Sequence, residues 1–244
     1  MRKIKNTYYL IYSPKTGSKL VYATSDNPLG PFEFRGTIID NGIDYPGSNN
    51  HGSLCCINEQ WYIFYHRGTN NTIMSRQACA ERIEILADGS IPKVEMTSLG
   101  FEDSLSPYKI TPADAACVLK GGCYLTEKNV FSRYITDITK GCVMGFKYFD
   151  FGDDYSSKTM EVCFNVKGQG CRGLIRIVSD NYENGEELGV CEIGLDDGIY
   201  KACIKAITGR HAIYFIADDN YTDWTAEMFK GKRLFELKEF VFMK

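Results

Sequence analysis

The side chains in this 244-residue sequence that stand out as chemically capable are imidazoles, a guanidinium and thiols. His51, in NNHGS, and His66, in FYHRG, can each exchange a proton or offer one nitrogen to a metal ion. Equally, either can be a histidine satisfied by hydrogen bonds inside a sheet, since buried polar groups need partners. Arg76, in MSRQAC, carries a planar fork of donors that matches hydroxyl and carboxylate oxygens. The same fork can simply bridge two loops. Ten cysteines contain no CxxC, and the closest groups are Cys55 with Cys56 and Cys117 with Cys123, so zinc-ribbon spacing is absent. They read as small buried hydrophobes of a reducing, cytoplasmic protein, with a disulfide set as the lesser reading.

The elements that must position these residues are strands. TYYLIYS, KLVYATS and PFEFRGTIID are short, aromatic or β-branched, and separated by Gly, Pro and Asn. His51 to Gly68 reads as two apolar runs around Asn58-Glu59-Gln60, a hairpin, and QACAERIEILADGSIPKVEM as another with Asp88-Gly89 as its turn. Tyr9, Tyr12, Trp61, Tyr62, Phe64 and Tyr65 alternate at strand period and are expected in the core. Antiparallel units of this kind build propeller blades. The rhythm lapses between Ser98 and Pro112, which places a domain boundary there and divides the chain into 1–100 and 101–244. Seven strands then follow, from VMGFKYFDFG to LFELKEFVF, a β-sandwich pattern, with a hint of helix only at Asp223 to Lys230. The 28 basic and 31 acidic residues nearly cancel, which excludes a field strong enough to draw the chain to nucleic acid or an anionic membrane. No apolar run approaches the roughly 20 residues of a membrane helix.

In order and spacing, YATSDNPLGPFEFRGTIID, NNHGSLCCINEQWYIFYHR and SRQACAERIEILADGSI resemble the last blades of a five-bladed family 43 glycoside hydrolase propeller. KYFDFG, IRIVSD, TGRHAIYF and LFELKEFVF resemble a family 6 carbohydrate-binding module, a jelly-roll β-sandwich. The resemblance implies a β-xylosidase or α-L-arabinofuranosidase-like enzyme that inverts pentosides of xylan or arabinoxylan type with a carboxylic acid and a carboxylate base. It also implies that the acid, the base and an Asp tuning the acid lie upstream of TYYLIYS. Only MRKIKN precedes Thr7, so no catalytic residue is expected in this chain and the missing N-terminal half of the propeller would be its partner. The alternative is a noncatalytic carbohydrate-binding or relic protein. By resemblance Arg76 points into the sugar pocket, and His51 sits on the propeller axis, helping to hold calcium or its water shell.

In the sandwich the positions implied for ligand binding are altered. Val143 stands where the first cleft aromatic belongs, Ile199 or Tyr200 where the second belongs, and Glu236 replaces an asparagine. Tyr200 and Trp224 remain as candidates for stacking on a sugar.

Overall fold

The computed structural model describes residues 1–15, 17–46, 49–129 and 131–244, which divide into two compact units, Met1–Phe101 and Glu102–Lys244. The first unit opens with an antiparallel sheet of β1 (Arg2–Ile4), β2 (Thr7–Tyr12), β3 (Lys19–Ser25) and β4 (Glu33–Asp40), in that spatial order. Leu20, Val21, Tyr22 and Ala23 of β3 are all buried, so this strand is covered on both faces rather than alternating in and out. Tyr12, expected in the core, is 37% exposed, because it ends β2 where the chain leaves the sheet.

A second sheet holds β5 (Ser53–Ile57), β6 (Gln60–Thr69) and β7 (Thr72–Ile83) in sequence order. Both of its turns have two residues with positive φ: Asn58 and Glu59 at 48° and 67°, Asn70 and Asn71 at 56° and 48°. That is the backbone a two-residue hairpin needs to match strand twist, and asparagine tolerates it best after glycine. The strand expected after Asp88-Gly89 does not form. The turn itself does, with Gly89 N–H donating to Leu86 O and Asp88 Oδ1 accepting from Ser90. Beyond it the backbone donors are met singly: Ile91 N–H by the Tyr22 hydroxyl and Val94 N–H by Ile38 O. Pro92 has no donor for a ladder, and Ile91 and Met96 are buried.

The second unit is a two-sheet sandwich. Before the seven strands legible in the sequence come β8 (Thr111–Pro112), a 3-10 turn at Ala113–Ala115, β9 (Val118–Lys120), β10 (Tyr124–Asn129) and β11 (Ser132–Ile138). The seven are β12 (Val143–Asp150), β13 (Thr159–Gly168), β14 (Gly173–Ser179), β15 (Glu187–Ile193), β16 (Gly198–Lys205), β17 (Arg210–Asp218) and β18 (Phe235–Met243), with α1 (Asp223–Phe229) before the last. One sheet runs β10-β11-β18-β13-β16, with β8 on β18, and the other β15-β14-β17-β12-β9. Phenylalanines join them: Phe240 of β18 meets Phe146 of β12 and Phe215 of β17 edge-on, each at 4.7 Å, and Phe164 of β13 meets Phe215 at 4.9 Å. All four are at most 1% exposed. Such edge-to-face pairs add about 0.5–1.5 kcal/mol each beyond the burial of their area.

Candidate functional site

The segment after β4 carries His51 to the edge of the second sheet. Gly52 is what lets it lie there, since a Cβ on Gly52 would sit 2.2 Å from the Phe64 carbonyl oxygen and 2.6 Å from Leu20 Cδ2. Three asparagines and His66 hold the segment. Asn50 is fully buried, and its amide donates to Ser18 O at 3.3 Å while its Oδ1 accepts from the His66 N–H at 3.5 Å. Asn41, also buried, donates to His66 O at 2.6 Å. The His66 ring then clamps the turn from the side: Nδ1 accepts the His51 N–H at 3.3 Å, and Nε2 lies 2.7 Å from Asn49 O. A ring nitrogen that accepts an amide proton must be bare, so His66 is the neutral tautomer with its proton on Nε2, donated to Asn49. Burial pushes its pKa below the ordinary value, and the charges of Arg76 and His51 press the same way against the Asn49 carbonyl.

Arg76 arrives from β7. In the β6–β7 register Gly68 lies opposite Arg76 and His66 opposite Ala78. Opposed residues share a face and residues two apart share it too, so Arg76 and His66 project from the same side of the sheet on adjacent rungs. Gly68 puts no side chain beside the guanidinium. Arg76 is exposed and touches its own strand through Ile73 O at 3.0 Å, and His51 is exposed with its ring 5.6 Å from that of His66. The fold thus gathers His51, His66 and Arg76 into one polar patch with the cation and one imidazole open to solvent. Calcium is a poor match for this patch. Hard cations need about 6–8 oxygen ligands; His51 offers a nitrogen, and among the described residues no group of three His, Cys, Asp or Glu could hold a metal ion.

Sequence reasoning missed the most elaborate polar arrangement of this unit, which is buried. Arg67 and Glu81, 3% and 4% exposed, pair at 3.2 Å. Tyr65 OH donates to Glu81 Oε1 at 2.9 Å, and Thr97 donates through its N–H at 2.8 Å and its hydroxyl at 2.6 Å. Arg67 also donates to Tyr65 OH and to Thr97 O, each at 2.6 Å. Burial pushes the Glu81 carboxyl up, opposed by Arg67 and the Thr97 bonds. A carboxylate so enclosed is committed to structure. The available signal was that Glu81 shares its strand face with apolar residues two positions away, Cys79 and Ile83.

In the sandwich the altered cleft positions lie on three strands, Val143 on β12, Ile199 and Tyr200 on β16 and Glu236 on β18. Val143 is 8% exposed, held in β12 between Lys120 of β9 and Ile216 of β17. Glu236 turns its carboxylate inward, accepting from the Thr136 hydroxyl at 2.7 Å. Ile199 is 67% exposed, and Tyr200 next to it donates its hydroxyl back to Asp196 O at 2.8 Å. Trp224, 70% exposed, sits on α1, which is fastened by Tyr221 stacked on Phe229 at 4.1 Å and 8°. Tyr200 and Trp224 thus stand on different elements, β16 and α1.

No protein-family model matches the chain. A xylosidase/arabinosidase of Thermoclostridium stercorarium is 37% identical over 255 residues, covering 88% of this chain and 51% of its own length. An arabinoxylan arabinofuranohydrolase of Paenibacillus polymyxa is 26% identical over 218 residues, covering 80% of this chain and 33% of its own. Among solved structures, a glycoside hydrolase family 43 arabinoxylan arabinofuranohydrolase from Bacillus subtilis, in complex with cellotetraose, aligns over 100% of this chain and 53% of its own with a TM-score of 0.54 and 22% identity. The chain spans about half the length of the first of these relatives and a third of the second. By sequence it is a relative of xylosidases/arabinosidases and arabinoxylan arabinofuranohydrolases, and it shares its all-β fold with a family 43 glycoside hydrolase.

Proposed function

We propose that these 244 residues are part of a glycosidase acting on pentosides of xylan or arabinoxylan type, with Met1–Phe101 as late blades of its propeller. The observation that carries this reading is the patch in which Arg76 and His66 share a sheet face and His51 is presented beside them. The 37% identity to a xylosidase/arabinosidase across most of the chain supports it, as does a relative named for arabinoxylan. In this reading the exposed guanidinium holds sugar hydroxyls, and His66 keeps the His51 loop in place as a positioning residue. Hydrolysis with inversion needs an acid and a base on opposite faces of the sugar ring. Residues outside this sequence supply that pair, so the chain by itself does not turn over glycosides. Glu102–Lys244 acts as a sandwich scaffold in which Tyr200 and Trp224 stack on no common ligand.

The test is a chimera in which the segment of the T. stercorarium relative that precedes its aligned region is joined to this chain. It should release nitrophenol from aryl β-xylosides or α-arabinofuranosides, and Arg76→Ala should lower kcat/KM by roughly 100-fold, the scale of a lost positioning contact. A folded chimera without activity refutes the reading. So does pH-dependent hydrolysis by the 244-residue chain alone that disappears when one of its own carboxylates is changed.

A further inference from the structure

Cys123 and Cys142 occupy a place in the sandwich that the glycosidase reading leaves unused. The pairing of β9 with β12 ends at Lys120 opposite Val143, and the chain then reverses through Gly121 and Gly122, with φ of +83° and +98°, to reach Cys123. A Cβ on Gly121 would lie 2.8 Å from Cys142 Cα, so the glycine lets this turn close directly onto Cys142. The two sulfurs hydrogen-bond each other. Sγ of Cys142 also receives the Thr139 N–H at 3.4 Å and lies 3.7 Å from the Thr139 hydroxyl, while Cys123 Sγ lies 3.3 Å from Lys120 O. Cys142 Sγ also lies 3.3 Å from Gly121 O and 3.8 Å from Asp137 O, so carbonyl acceptors flank both sulfurs and Cys142 in addition receives a backbone N–H.

We propose that Cys123 and Cys142 form a redox-active dithiol that closes to a disulfide in the presence of a low-molecular-weight disulfide such as oxidised glutathione. Cys142 is the attacking thiolate: the hydrogen bond from Cys123, with those from Thr139, brings its pKa down to about 6 against the opposing effect of burial. The Cys123 thiol is pushed up, first by that same bond to Cys142 and then by burial, so it keeps its proton until needed. Both cysteines are fully buried, and the glycines beside them in sequence, Gly121, Gly122 and Gly141, are exposed, so a local opening of the turn admits the oxidant. Cys142 Sγ attacks one sulfur of the oxidant, whose S–S bond breaks and releases one glutathione thiol. Cys123 then gives up its proton and attacks Cys142 Sγ, expelling the second glutathione thiol. Two protein thiols are oxidised and one external disulfide is reduced to two thiols. Of the other cysteines, Cys191 is pushed up to about 12 by burial, and Cys117 donates to Gly145 O inside the sheet.

The experiment treats the folded chain with oxidised glutathione, blocks remaining thiols with iodoacetamide in denaturant, and maps tryptic peptides. Cleavage after Lys120, Lys128, Lys140 and Lys147 isolates each cysteine in its own peptide, 121–128 and 141–147. The expected product links these two peptides. It is absent from Cys142→Ser, and it raises the thermal midpoint of the oxidised wild type by on the order of 10 °C over the reduced form, as closure of a loop of this size should. Recovery of both peptides alkylated and unlinked overturns the proposal, as does linkage of either to other cysteines as often as to each other. The wild-type mapping decides the matter even where a variant folds poorly.

Discussion

Replacing Glu81 by Gln tests whether the enclosed carboxylate of the first unit is structural. The substitution keeps size and shape but leaves the Arg67 guanidinium, whose side chain is 4% exposed, without its counter-charge. Removing one partner of a buried ion pair costs about 3–5 kcal/mol, because the remaining charge stays desolvated. Arg67 keeps its bonds to Tyr65 OH and Thr97 O, which places the loss near the lower end, about 3 kcal/mol. For a unit of roughly 100 residues that corresponds to a fall of roughly 12–24 °C in the thermal midpoint. The two tryptophans fall one in each unit, Trp61 on β6 and Trp224 on α1, so Trp61 fluorescence in a Trp224→Phe background reports the first unit alone. In the converse Trp61→Phe background, the sandwich signal from Trp224 should not move. The double variant Arg67→Met with Glu81→Leu should recover most of the loss, since no unpaired charge is left behind. An E81Q protein within about 0.5 kcal/mol of wild type, on the scale of an ordinary surface change, would refute the reasoning. A double variant as unstable as the single one would do the same.

Gly52→Ala should cost about 1–3 kcal/mol or more, because the new methyl meets the Phe64 carbonyl, which is backbone and cannot swing aside; thermal melts of the first unit measure this, and a neutral result would show that the His51 segment is not pinned. The pKa of His66 is depressed in the fold, so its contribution to stability is present above the unfolded value of about 6.5 and is lost as pH falls through the folded one. Urea midpoints read by Trp61 should therefore drop between pH 7 and pH 5, and His66→Gln should flatten that part of the profile; an unchanged slope would remove His66 as the cause.

Local chemistry carried much of the architecture. The strand content, the β2, β3 and β4 segments, the Asn58-Glu59 hairpin and the short helix at Asp223 were all readable, because side-chain alternation and turn residues act over a few positions. The same locality explains the failure after Asp88-Gly89: the turn residues were sufficient for the turn, while the strand beyond it needed a neighbour to pair with, and Tyr22 and Ile38 met its donors one at a time. Of the four strands from Thr111 to Ile138, β8 and β9 are too short to announce themselves, and β10 and β11 mix charged and polar residues through their length without an apolar run. Tertiary structure alone decided the rest. Which side of β7 Arg76 faces follows from the β6–β7 register, and a shift of one residue would have sent it to the other face. Glu81 became a buried partner because the fold brings Tyr65, Arg67 and Thr97 to it from up to 16 residues away, and Cys123 met Cys142 because a glycine turn folds onto β12. Residue types are written in the chain, but a side chain's charge state, pairing and exposure belong to the neighbours that folding supplies.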